Sequence, residues 1–159
     1  MKLRIFLLPK SEEVSYTVYV ESRRERSAMI DITYEMAYGV YVNNEELKSC
    51  PRDCSYVKDY ILENKPETTL EYIDSMSDRD WRDWWHDFLI EDDSVIHEVD
   101  RYTSEPRIIG NLIEQREFTI EELQTYATKN KEKIAAMYKE LTGNDLQEEP
   151  KFIVYEHIF

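Results

Sequence analysis

The N-terminal part of the chain alternates apolar and polar residues with the two-residue period of β-strands. The alternation covers "KLRIFLL" at 2–8 and "VSYTVYV" at 14–20, which are joined by the short polar segment "PKSEE". Successive side chains of a strand point to opposite faces, so this period predicts two strands connected as a hairpin.

Residues 28–42 carry two competing patterns. Every even position from 28 to 42 is apolar, which favours a strand. Ser22 and Glu25 have the spacing of a helix capping box just before this segment, so a helix remains an alternative. We predict a strand that is interrupted near Gly39.

From residue 55 onwards the apolar positions recur with the period of helices. The longest of these segments begins with a capping box, Thr119 and Glu122, and ends at Gly143. The last segment, "KFIVYEHIF", returns to the strand period. The predicted helices are 55–64, 68–76, 77–91, 92–102, 106–115 and 119–145, and the predicted final strand is 151–159.

Strands at both ends with helices between them predict an α+β fold. We expect a small, largely antiparallel sheet made of the N-terminal strands and the C-terminal strand, packed with several helices from the middle of the chain. The chain has 159 residues and no internal repeat, low-complexity run or linker, which predicts one α+β domain over 1–159.

The segment "DWRDWWHDFLIEDD" at 80–93 combines three tryptophans with six acids. On a helical projection its large apolar residues (Trp81, Trp84, Trp85, Phe88 and Leu89) fall within an arc of about 140°. Four acids (Asp80, Asp83, Asp87 and Glu91) fall within about 80° on a separate side. The pattern predicts that the tryptophans belong to the core and that the acids form an exposed stripe.

Charge is concentrated around this segment. The chain has a formal net charge of −14, and residues 63–100 hold thirteen acids against three bases. Carboxylates three or four residues apart on a helix lie about 5–6 Å from each other, a spacing comparable to that of phosphates along a nucleic-acid strand. Such a surface repels nucleic acid and anionic membranes but suits a basic groove. The alternative is a solvated face that serves solubility.

Motifs of catalysis and of targeting are missing from the sequence. GxGxxG, GxxxxGK[ST], HExxH and GxSxG do not occur, which predicts a protein that is not an enzyme and has no cofactor. The apolar run in "MKLRIFLLPK" stops at Pro9 and is too short for a secretory signal. No apolar stretch approaches the roughly 20 residues of a transmembrane helix, so we expect a cytoplasmic protein.

The two cysteines, Cys50 and Cys54, leave one alternative function open. They are too few for a disulfide scaffold, but they could supply two ligands of a zinc site. A structural zinc ion needs four ligands, and the other soft candidates are His86, His97 and His157. The alternative is therefore a zinc-stabilised or small-ligand-binding accessory protein centred on the two cysteines.

The segment "EYIDSMSDRDWRDWWHDFLIEDD" at 71–93, together with the overall charge, resembles a functional class. That class comprises small acidic inhibitors from phages and mobile elements, of the anti-CRISPR or anti-restriction type. The resemblance is one of type, because the class shares no motif, fold or catalytic residues. It implies an inhibitor that blocks a basic nucleic-acid-binding or nuclease surface of a host defence protein such as a CRISPR nuclease, either as a DNA mimic or by locking a domain allosterically.

The expected partner-binding surface follows from the acidic stripe and from two tyrosines that could supply affinity. The predicted partner is a basic nucleic-acid-processing protein, and neither nucleic acid nor a membrane is expected to bind directly. The predicted binding residues are Glu67, Glu71, Asp74, Asp78, Asp80, Asp83, Asp87 and Glu91, with Tyr72 and Tyr102.

Overall fold

A computed structural model describes residues 15–16, 32–99, 106–113 and 118–158. These residues form an α+β fold around a four-stranded antiparallel sheet, which confirms the predicted fold class. The strands of this sheet are β2 (Ile32–Val42), β3 (Ile96–Glu98), β4 (Arg107–Ile113) and β6 (Lys151–Ile158). Their order in the sheet is β3-β4-β2-β6, so the long β2 occupies an inner position.

A short second sheet joins β1 (Ser15–Tyr16) to β5 (Phe118–Thr119). These two residues of β1 are the part of the predicted strand 14–20 that the structure describes. The predicted strand 2–8, its hairpin connection and the capping-box pair at 22 and 25 lie outside the described residues.

The strand predicted within 28–42 is confirmed from Ile32 to Val42, and it pairs with β4 and β6 on its two sides. The predicted interruption near Gly39 is wrong, because the strand runs through this residue without a break. Gly39 lies opposite Gly110 of β4. A Cβ atom at Gly39 would lie 2.1 Å from the carbonyl oxygen of Ile109, and one at Gly110 would lie 2.2 Å from that of Tyr38. The two strands are therefore too close here for any side chain.

The described residues form four α-helices: α1 (Ser55–Asn64), α2 (Leu70–Ser75), α3 (Asp78–Glu91) and α4 (Ile120–Thr142). A 3₁₀ helix at Glu46–Ser49 precedes them. Helix α4 has the predicted capping box of Thr119 and Glu122, and Gly143 ends it with a left-handed φ of 75°. Side chains of Thr69 and Ser77 accept backbone hydrogen bonds at the starts of α2 and α3. The helices predicted at 55–64, 68–76, 77–91 and 119–145 are thus confirmed, with shorter bounds for 68–76 and 119–145.

The helices predicted at 92–102 and 106–115 are wrong, because the described parts of these segments contain the strands β3 and β4 and no helix. Adjacent apolar residues in β4 explain the error. Ile108 and Ile109 point to opposite faces of the sheet, and both are completely buried. A strand covered on both faces loses the alternation of apolar and polar residues, so its sequence can imitate the spacing of a buried helix.

The main core lies between one face of the sheet and the helices. Residues from α1, α2, α3 and α4 pack there with Tyr38, Val40 and Val42 of β2. A smaller apolar cluster on the other face contains Ala37, Ile108, Ile153 and Tyr155. Among the helices of the described residues, none combines the length and the apolar character that crossing a membrane requires.

Replacing Gly110 with Ala is expected to lower the free energy of unfolding by about 1–3 kcal/mol, because the new methyl group would meet the backbone of β2. Urea denaturation followed by circular dichroism measures the change. Leu112→Ala on the same strand is the control, since this side chain is 45% exposed and its truncation should cost less. If Gly110→Ala unfolds at the wild-type urea concentration, the close approach of the two strands is contradicted.

Candidate binding surface on α2 and α3

Helix α3 separates a buried aromatic side from an exposed acidic side. Trp81, Trp85 and Phe88 are at most 3% exposed and belong to the main core, as the helical projection predicts. The indole nitrogen of Trp81 donates a hydrogen bond to the carbonyl oxygen of Cys50 at 3.1 Å. Cys50 has a left-handed backbone with φ of 46°, so this bond helps to hold the turn before α1.

All eight acids of the predicted surface are exposed. Within the part of the chain that the structure describes, two of them have partners: Asp74 lies 3.0 Å from the ammonium group of Lys58, and Glu91 accepts a hydrogen bond of 2.5 Å from the Tyr60 hydroxyl. Such exposed contacts hold side chains in place more than they stabilise the fold. The predicted contact residue Tyr102 lies outside the described residues.

Two of the acids face a groove between α1, α2 and α3. Asp80 and Asp83 line it from α3, and Tyr72 lines it from α2. The groove has a volume of about 330 Å³. Among the described residues, its lining consists of Ile61, Lys65, Thr68, Tyr72, Met76, Asp80, Asp83 and Trp84.

An adjoining cleft of about 420 Å³ extends the groove along the loop between α1 and α2. The two spaces share Lys65, Thr68 and Tyr72, and the second one adds Glu67 and Thr69. Together they bring four of the predicted binding residues (Glu67, Tyr72, Asp80 and Asp83) to one continuous depression. Three carboxylates and one ammonium group give its lining a formal charge of −2.

Two cations lie on the aromatic residues at the border of this surface. The ammonium group of Lys65 is 5.2 Å from the centre of the Trp84 ring. The guanidinium group of Arg52 is 5.0 Å from the Trp81 ring and donates hydrogen bonds to the carbonyl oxygens of Asp74 and Met76. Arg52 therefore satisfies backbone acceptors at the end of α2 and fixes the connection from α2 to α3.

Sequence reasoning placed Trp84 in the core and did not find Lys65 or Thr68. Trp84 is half-buried, with one part against Tyr60 of α1 and another in the groove. Its position at the edge of the apolar arc, next to Asp80 and Glu91 on the helical projection, is the signal in the sequence that it borders the acidic side. Lys65 and Thr68 carried no such signal, because only the packing of α1 and α2 brings them to α3.

The two cysteines do not form part of a metal site among the described residues, where no group of three or more His, Cys, Asp or Glu side chains is placed to hold an ion. Cys54 is completely buried and Cys50 partly so. His97 is also buried, and its Nε2 atom donates to the carbonyl oxygen of Gly110 at 2.9 Å. His86 is exposed on α3. The zinc alternative thus finds no ligand set in this part of the chain.

Comparison with protein-family models, with curated proteins and with solved structures finds no match to this chain. The interpretation of the surface therefore depends on its own geometry and charge.

The thiol of Cys54 is expected to react at least about tenfold more slowly than that of Cys50 with a disulfide reagent at pH 8. Burial raises the pKa of Cys54 to about 11, so little thiolate is present, and the same burial blocks access. The coloured thiolate that the reagent releases reports the rate of each reaction. In urea, where the protein is unfolded, the two thiols should react at the same rate. Equal rates in the native protein would contradict the buried position of Cys54.

The stability of the protein is expected to fall as the pH rises from 10 to 12. Burial, followed by the hydrogen bond to Glu91, raises the pKa of Tyr60 from 10.0 to about 12. The folded state therefore keeps a proton that the unfolded state loses in this range, and its stabilising effect disappears as the pH passes through the folded pKa. Urea denaturation at several pH values should show a shallower decline for Tyr60→Phe. An unchanged decline would assign the linked proton to another group.

Proposed function

We propose that this protein is a non-enzymatic inhibitor that binds a basic, nucleic-acid-binding surface of a nuclease or related host defence protein through α2 and α3. The observation that carries the proposal is the exposed side of α3. It presents Asp80, Asp83, Asp87 and Glu91 as one stripe, while the opposite side of the helix is fixed in the core.

The distribution of charge supports binding to a cationic partner. The acids on α2 and in the loop before it, Glu67, Glu71 and Asp74, are exposed like those of α3. Lys58 pairs with Asp74, and Arg52 and Lys65 lie over tryptophan rings. A concentrated negative field speeds encounter with a positively charged surface and makes the association rate sensitive to salt. The same field keeps nucleic acid away, so the partner and not the nucleic acid is the proposed ligand.

Exposed apolar side chains beside the acids supply the second requirement of a tight interface. Tyr72 is 60% exposed and Leu70 is 55% exposed on α2, and Ile90 on α3 is 61% exposed. A few buried side chains, Tyr among the most frequent, contribute most of the affinity in protein interfaces, whereas charges at the rim contribute mainly to rate and orientation. We propose that the inhibitor acts in the cytoplasm, where such a target would encounter nucleic acid.

Replacing Asp80, Asp83 and Asp87 together with Lys is expected to weaken binding to the partner and inhibition at least about tenfold, because a favourable field becomes repulsive. The partner is first captured from bacterial lysate with the tagged protein at low and at high salt. Binding to the purified partner and inhibition of its nucleic-acid cleavage are then measured side by side.

The matched control replaces Glu121, Glu132 and Glu148 with Lys. It makes the same change in net charge with exposed residues on and after α4, and Glu121, like Asp80, lies in the first turn of its helix. The control should retain at least half of the inhibition, and both variants should keep the wild-type circular dichroism spectrum. If the α3 variant inhibits as well as the wild type, or if both variants lose inhibition equally, the proposed surface is wrong.

A further inference from the structure

We propose that the groove between α1, α2 and α3 is a receptor for one cationic side chain, preferably arginine, that projects from the partner. The inference deepens the proposed function and depends on it for the identity of the partner as a basic protein. The groove itself is defined by Asp80, Asp83, Tyr72 and Trp84, which come together only in the folded chain.

The lining combines the two features that hold an organic cation. Aromatic faces attract a cation through their quadrupole, and the attraction is stronger where the site is partly desolvated. Carboxylates supply the opposite charge and accept its hydrogen bonds. Trp84 and Tyr72 provide the aromatic surface, and Asp80 and Asp83 provide the carboxylates in the same groove.

A cation of the chain itself already occupies the aromatic part of the site. The ammonium group of Lys65 lies 5.2 Å from the centre of the Trp84 ring and lines the groove. Lys65 is exposed and makes no ion pair among the salt bridges of the described residues. Its ammonium group can therefore move into water when a partner's cation takes its place over the ring.

The size and shape of the groove favour arginine over lysine. A volume of about 330 Å³ is at the lower end of the range for small-ligand sites, which suits one side chain. A guanidinium group is planar, stacks on an aromatic ring and donates two parallel hydrogen bonds to a carboxylate, whereas an ammonium group acts as a point charge. Two neighbouring acids beside an indole ring match the planar group better.

The test uses the peptide acetyl-Gly-Arg-Gly-amide as the probe and follows the indole N–H signal of Trp84 by NMR, assigned with Trp84→Phe. We expect a saturable shift with millimolar affinity. Binding should weaken at least fivefold when Asp80 and Asp83 are both replaced with Asn, and it should tighten at least twofold in Lys65→Ala. The same peptide with citrulline, which is neutral and nearly isosteric, should not bind.

The matched control replaces Asp78 and Asp87 with Asn. These acids lie on the same helix and give the same change in net charge, but they do not line the groove. Equal weakening by both double variants would overturn the groove as a specific receptor, as would equal binding of the citrulline peptide. Unchanged or weaker binding in Lys65→Ala would reject Lys65 as the internal occupant.

The experiments distinguish a failure of the arginine receptor from a failure of the proposed inhibitory function. If the partner is lost on charge reversal of α3 but binds normally to the Asp80→Asn, Asp83→Asn variant, the acidic surface is retained and the arginine receptor is rejected. If the peptide binds specifically but no basic partner is inhibited, the receptor is supported and the proposed inhibitor is rejected.

Discussion

The burial of one side of α3 is the constraint on which the candidate surface depends. Fully burying Trp81, Trp85 and Phe88 contributes about 1.5–3 kcal/mol for each side chain. Each pair of like charges three or four residues apart destabilises the helix by only a few tenths of a kcal/mol. The stripe contains three such pairs, formed in sequence by Asp80, Asp83, Asp87 and Glu91. Burial therefore outweighs their repulsion, and the helix keeps its acids in water facing outwards. The fold is stable despite this concentration of charge, and the packing of the core does not depend on it.

The groove is a consequence of how three short helices pack. Arg52 ties the end of α2 to the connection that precedes α3 through the carbonyl oxygens of Asp74 and Met76. Tyr60 of α1 contacts both Trp84 and Phe88. These contacts fix the distance between α1 and α3, and the space left between them and α2 is lined by residues of all three. The same aromatic cluster therefore stabilises the helices and forms a wall of the proposed receptor.

Local patterns predicted the elements whose signals are local, and they failed where the environment decides. The capping box of Thr119 and Glu122 and the amphipathic arc of α3 both depend on residues within a few positions of each other, and both are confirmed. β4 was missed because burial on both faces removes the period of a strand. The exposure of the acids could be read from the helical projection, but the groove could not, because Lys65 and Trp84 meet only through tertiary packing. The inhibitory function remains a proposal from charge and geometry.

Carboxyl footprinting of the free protein and of its complex with the captured partner tests most directly whether the exposed side of α3 is a binding surface. A carbodiimide couples glycine ethyl ester to accessible carboxylates, and mass spectrometry reads each site. We expect Asp80, Asp83 and Asp87 to be labelled in the free protein and protected in the complex, while Glu121 and Glu132 of α4 are labelled in both. Equal labelling of the α3 acids in both states, or protection confined to α4, would contradict this expectation.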